Sequence, residues 1–161
     1  MTRVHLATLG CKVNAYDTAT IAERLRAAGC EIVPAGAPAD VVVVNSCTVT
    51  DAADAESRRL ARRARRENPA ARVILTGCYA QTKPVEAAGE PAVDHVIGLN
   101  RLDALVTAVT ARGDDEGYIA GTFHLYRVPA PGPVAAFTPV PTPTLRVEGS
   151  LRLLAATRGR P

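Results

Sequence analysis

From residue 3 to about residue 112 short apolar runs alternate with amphipathic segments, and this alternation restricts the fold more than any other feature of the chain. It is the pattern of βα units laid around a parallel sheet. Strands are expected at residues 4–9, 31–33, 41–44, 73–76 and 95–97, and helices at 18–28, 51–67, 84–88 and 101–111. Several helix ends carry their own signals. Thr50 or Asp51 can cap the second helix and Asn68-Pro69 stops it. Pro84 suits a first turn, and Asn100 can cap the last helix.

Five strands joined by short right-handed crossovers wind most readily in the order 2-1-3-4-5. The fold class expected is therefore α/β, a flavodoxin-like five-stranded parallel sheet flanked by helices, with a Pro-rich C-terminal extension. At 161 residues and 47% hydrophobic content, one domain plus an appendage is the natural reading. Residues 1–112 form that domain. Residues 113–143 read as a loop and Pro-rich linker, because six prolines fall between residues 129 and 143 and such density cannot build a helix. Residues 144–161 are too few to fold alone and read as a strand with a short basic tail, a remnant or the start of a missing barrel.

A net charge of +3 identifies no polyanionic partner by itself. No apolar run approaches the roughly 20 residues of a membrane helix, so no membrane partner is expected. The first residues resemble a lipoprotein leader ending at Cys11, but the apolar stretch is only about six residues, contains His5 and falls short of the roughly 7–15 of a true leader. Four cysteines at wide spacing then indicate a reducing compartment, the cytoplasm.

Cys11, Cys47 and Cys78 each stand just past the C-terminal end of a predicted strand. In the expected order these three strands are neighbours about 5 Å apart, so short loops could gather three sulfurs at the edge where open α/β sheets bind ligands. Each loop runs into a helix N-terminus, whose free amides favour thiolates and an anionic group. Cys30 belongs to the opposite edge and reads as a small buried or partly exposed side chain without an assigned function. A single intracellular cysteine is most often just that, a small apolar residue. Three at equivalent strand ends are not explained so simply. Their spacing alone leaves iron–sulfur, zinc and thiol redox roles open, although His5 lies about 20 Å of strand from Cys11 and His95 begins a strand at the other edge, so a fourth zinc ligand is missing. Three thiolates with one open position favour a cluster.

The residues Leu9-Gly10-Cys11-Lys12-Val13-Asn14, Asn45-Ser46-Cys47-Thr48-Val49-Thr50 and Thr76-Gly77-Cys78-Tyr79-Ala80-Gln81 together resemble the three cysteine motifs of the N-terminal domain of radical S-adenosylmethionine tRNA methylthiotransferases. The Gly-Cys-Lys-Val-Asn form is closest to the subgroup acting on threonylcarbamoyladenosine. The resemblance spans residues 3–112 and includes Ala53-Asp54, Asn68-Pro69 and Val96-Ile97-Gly98. It implies an auxiliary 4Fe–4S cluster on Cys11, Cys47 and Cys78, a tRNA substrate and a sulfur donor. It also implies a radical barrel that would carry S-adenosylmethionine and a second 4Fe–4S cluster on a Cys-x3-Cys-x2-Cys motif, followed by an RNA-binding domain. No cysteine follows Cys78, and Ser150 stands where a first barrel cysteine is expected, so the chain reads as truncated before that barrel. A stand-alone flavodoxin-like module holding a cluster or flavin, or a non-functional remnant, are the other readings.

Asn14, Asn45, Tyr79 and Gln81 flank the cysteines and are candidates to wall the site or contact its ligand, or else to hold the loops and pack. Arg58, Arg59, Arg62, Arg63 and Arg66, with Arg65, make six arginines in nine positions of one helix. They read either as a solvated face or as an RNA-contacting one. No phosphate loop, Ser-His-Asp set or His-Glu metal motif occurs, and 4% aromatic content gives little for base stacking.

Overall fold

The computed structural model describes residues 1–99, 101–111, 118–124 and 144–150. Its elements run β1 Arg3–Thr8, α1 Lys12–Ala27, β2 Glu31–Val33, β3 Val41–Ser46, α2 Asp51–Glu67, β4 Arg72–Gly77, α3 Cys78–Thr82, α4 Pro84–Ala88, β5 His95–Ile97, α5 Leu102–Thr110, β6 Tyr118–His124 and β7 Thr144–Ser150. The first five strands are parallel in the order 2-1-3-4-5, as the alternating pattern predicts.

The sheet does not stop there. β6 pairs parallel with β5, and β7 returns antiparallel to β6, giving seven strands. β6 lies inside the segment read as loop and linker, and its pairing with β5 supplies what local sequence did not. The Pro-rich residues 129–143, the tail after residue 150 and the Asn100 cap lie outside the described residues.

β3 is buried at all six positions because it is central in a sheet covered on both faces. Its valines alternate between two cores. Val42 and Val44 join Val73, Leu75 and Val96 with Ala61 and Ala64 of α2, Tyr79 of α3 and Ala87 of α4. Val41 and Val43 join Val4, Ile74 and Ile97 under Ile21 and Leu25 of α1 and Leu105 and Val109 of α5. Fully buried side chains such as Leu25, Ile74 and Leu75 each contribute roughly 1.5–3 kcal/mol by leaving water.

Local chemistry ends the elements where the sequence signals do. Thr50 Oγ1 accepts from the Ala53 N–H at 3.1 Å, Asn68 closes α2, and Pro84 opens α4. α1 begins at Lys12, six residues before its expected start, so it springs directly from the first cysteine.

Candidate metal centre

The three cysteines stand at the carboxyl edge of β1, β3 and β4. Register places Ser46 opposite Gly77, so Cys47 and Cys78 are the next residues beyond one cross-strand pair. Thr8 pairs with Asn45, and the Leu9 N–H bonds to the Asn45 carbonyl at 2.9 Å, which brings the Cys11 loop to the same edge. Cys11 is exposed, Cys78 half-buried and Cys47 buried.

Each thiol meets a different field. Cys11 is the residue before α1, and the nearby backbone amides of Asn14 and then Val13, at the open start of the helix, favour the thiolate and hold the thiol below its usual range. Cys78 opens α3, but burial pushes its thiol up, and charge on Cys47 and Cys11 pushes it further. Cys78 thus feels the charge of both other cysteines. Cys30 sits apart in the core beneath α1, where burial raises its thiol.

Two glycines let the loops approach. Gly10 has φ +101°, and a Cβ there would stand 2.9 Å from both Cβ and Sγ of Cys47. Gly77 has φ +90°, and a Cβ there would stand 2.6 Å from the Ser46 nitrogen and in contact with Asn45 Oδ1. Only glycine accepts both the backbone conformation and the crowding.

Asn14 is the hub. It is 1% exposed, and its Nδ2 donates to the carbonyls of Leu9 at 2.6 Å and Ser46 at 2.9 Å, while Oδ1 lies 3.9 Å from the Cys78 sulfur. One amide thus touches all three cysteine segments. Asn45, also buried, donates from Nδ2 to the Asn14 carbonyl and to Thr18 Oγ1, both at 3.0 Å. The Ser57 hydroxyl donates to the Cys47 carbonyl at 3.0 Å and accepts the Cys47 N–H at 3.2 Å.

The other sequence candidates are placed differently. Tyr79 is fully buried in the α2-side core, and its hydroxyl accepts from Arg58 Nη1 at 3.0 Å. Gln81 Oε1 accepts the Leu99 N–H at 2.9 Å, tying α3 to the end of β5. The arginine face is met largely by carboxylates of this chain: Arg58 by Glu86, Arg59 by Glu56, Arg62 by Glu90, Arg63 by Glu67 and Arg65 by Asp94. Arg66 is exposed at the end of α2 farther from the cysteines. An open groove of about 300 Å³ borders the site on the α1–α5 side, lined by Asp17, Thr76, Ile97, Arg101 and Leu105 among others. Sequence reasoning missed Ser57, Asp54 and Lys83, all of which brace the cysteine loops.

Among the described residues no three His, Cys, Asp or Glu side chains are drawn tightly enough to ligate a single ion. A cube of four irons asks something else of its protein, since each cysteine binds a different iron. Three cysteines without histidine, on adjoining loops at one sheet edge, with Cys11 capping α1 and Cys78 opening α3, fit such a group.

Fold and edge together define a doubly wound α/β domain with three cysteines just past the carboxyl ends of β1, β3 and β4. The chain belongs to the family described as uncharacterized protein family UPF0004, whose model matches residues 3–98. It is 37% identical over 150 residues to the threonylcarbamoyladenosine tRNA methylthiotransferase MtaB of Bacillus subtilis (strain 168), covering 92% of this chain and 33% of that protein. With the protein of the same name from Aquifex aeolicus it shares 44% identity over 96 residues, 60% of this chain and 23% of the relative. With the ribosomal protein uS12 methylthiotransferase RimO of Chloroflexus aurantiacus it shares 37% over 108 residues, 65% of this chain and 24% of the relative. The chain thus spans a third or less of these curated relatives. The family resemblance carried by the three cysteine motifs is borne out.

Proposed function

We propose that this chain supplies the cluster-holding domain of a tRNA methylthiotransferase that adds a methylthio group to N6-threonylcarbamoyladenosine. The observation that carries the reading is the convergence of Cys11, Cys47 and Cys78 around the buried Asn14 amide. The names of the relatives support tRNA as partner and threonylcarbamoyladenosine as substrate. A 4Fe–4S cluster held there would supply sulfur chemistry at an iron that no protein thiolate occupies.

The chain's own residues do the holding. Cys11, Cys47 and Cys78 serve as thiolate ligands, and the amides of Val13 and Asn14 stabilise charge on Cys11. Asn14 and Asn45 fix the loops, so that ligation costs little rearrangement. Within this reading the radical cluster, S-adenosylmethionine and a sulfur donor complete the reaction, in the cytoplasm.

Anaerobic reconstitution with iron and sulfide tests this. Wild type and Cys30→Ala are expected to hold about four irons per chain, and Cys47→Ala to hold far less. A wild-type chain that takes up no iron overturns the proposal.

A further inference from the structure

Asp54 is a carboxylate only 4% exposed on its side chain. Burial of such a charge costs several kcal/mol unless it is paired. Its place in the first turn of α2 explains part of its presence, since acidic groups complement a helix N-terminus. It does not explain its partners. Oδ1 accepts from the Thr48 hydroxyl at 2.5 Å, and Oδ2 pairs with the Lys83 ammonium, 29 residues further along the chain.

Those two partners sit in the two cysteine segments. Thr48 directly follows Cys47. Lys83 closes α3, the five-residue helix that begins at Cys78, and at the same time opens α4. Its N–H bonds to the Tyr79 carbonyl and its carbonyl accepts from the Ala87 N–H, both at 2.9 Å. A helix of five residues does not hold itself in water, so its position depends on tertiary anchors. At its start the anchor is β4 through Gly77, along its length the buried Tyr79 and Ala80 and the Gln81–Leu99 hydrogen bond hold it to the sheet, and at its end Lys83 ties it to α2. α3 is about 7 Å long, which makes it a short rigid arm between Lys83 and Cys78.

We propose that the Asp54–Lys83 pair is a positioning clamp that sets the placement of Cys78 relative to Cys47, and so the width of the site offered to a cluster. This deepens the cluster reading and rests on it for the identity of the ligand. The clamp acts through Thr48 on one side and α3 on the other. Neither residue is a ligand. Asp51, fully exposed and 3.7 Å from Lys83, is a secondary partner of the ammonium.

The test uses the full chain as wild type, Asp54→Asn, Lys83→Met, the double variant and Lys83→Arg. In the iron-free chain, phenylarsine oxide bridges pairs of thiols, and mass spectrometry of peptides follows the rate at which Cys47 and Cys78 are bridged. In the reconstituted chain, the electron paramagnetic resonance line shape after reduction reports cluster geometry. Asp54→Asn and Lys83→Met are each expected to slow bridging several-fold and alter the line shape, with far-UV circular dichroism unchanged. The double variant is expected to match either single one, and Lys83→Arg to stay near wild type. Equal bridging rates in all five forms overturn the clamp. If Asp54→Asn does not fold, the comparison of Lys83→Met with Lys83→Arg still decides. A wild-type chain that binds no iron overturns the cluster reading, whereas the arsenical rates judge the clamp independently.

Discussion

Replacing Gly77 by alanine isolates how tightly the cysteine edge is built. The residue has φ +90°, and an added methyl would press on backbone atoms of Ser46, which cannot rotate away. The backbone term is about 1–2 kcal/mol. The steric term is of the overpacking kind, about 1–3 kcal/mol. Together they predict a loss of about 2–5 kcal/mol. Gly29 provides the control, since it has φ +82° but nothing within 4 Å of its added methyl, so Gly29→Ala feels the backbone term alone. With a urea slope of about 2 kcal/mol per molar, the midpoint falls by about 1–2.5 M for Gly77→Ala and by about 0.5–1 M for Gly29→Ala. Urea titration followed by circular dichroism gives both values. Equal shifts for the two variants would refute the reasoning, because both glycines have positive φ and only Gly77 is crowded.

Asn14→Ala strips hydrogen bonds from the carbonyls of Leu9 and Ser46 and is expected to cost about 2 kcal/mol in the same titration, together with most of the iron uptake. Arg62→Met leaves the buried Glu90 carboxylate without its guanidinium and should lower the urea midpoint clearly, whereas Arg59→Met, on a pair exposed on both sides, should leave it nearly unchanged. Equal effects from the two would show that burial of the acid does not matter. The Arg3 guanidinium holds the Asp40 carboxyl below its usual range. Its stabilisation is therefore present above the unfolded carboxyl pKa, about 3.9, and is lost as pH falls through the lower folded value. Melting curves of wild type and Asp40→Asn should converge towards acid pH; a gap that persists there contradicts the assignment.

What the sequence made legible follows from which forces were local. The apolar runs of β3 and β4 and the caps at Thr50, Asn68 and Pro84 declare themselves because each signal lies within a few residues of its effect. The cysteines were legible for a related reason, since a strand's end marks an edge and three ends in neighbouring strands mark one place. α1 shows where this fails. Its first turns place Asn14 inside and Val13 and Tyr16 outside, at 65% and 75% exposure, so the apolar period that announces a helix is inverted at the point where the helix serves the site. α3 is too short to show a period, and β6 owes its pairing to β5 across a crossover of twenty residues (97 to 118, less the two ends). The clamp was hidden most completely, because nothing near Asp54 in sequence names Lys83 as its partner. The site thus divides into the proposed ligands, which sequence spacing points to, and braces, which exist only as contacts between segments; substitutions among the braces are where stability and cluster retention should separate, and Lys83→Met against Arg62→Met, one beside the cysteines and one remote from them, is the pair that measures the separation.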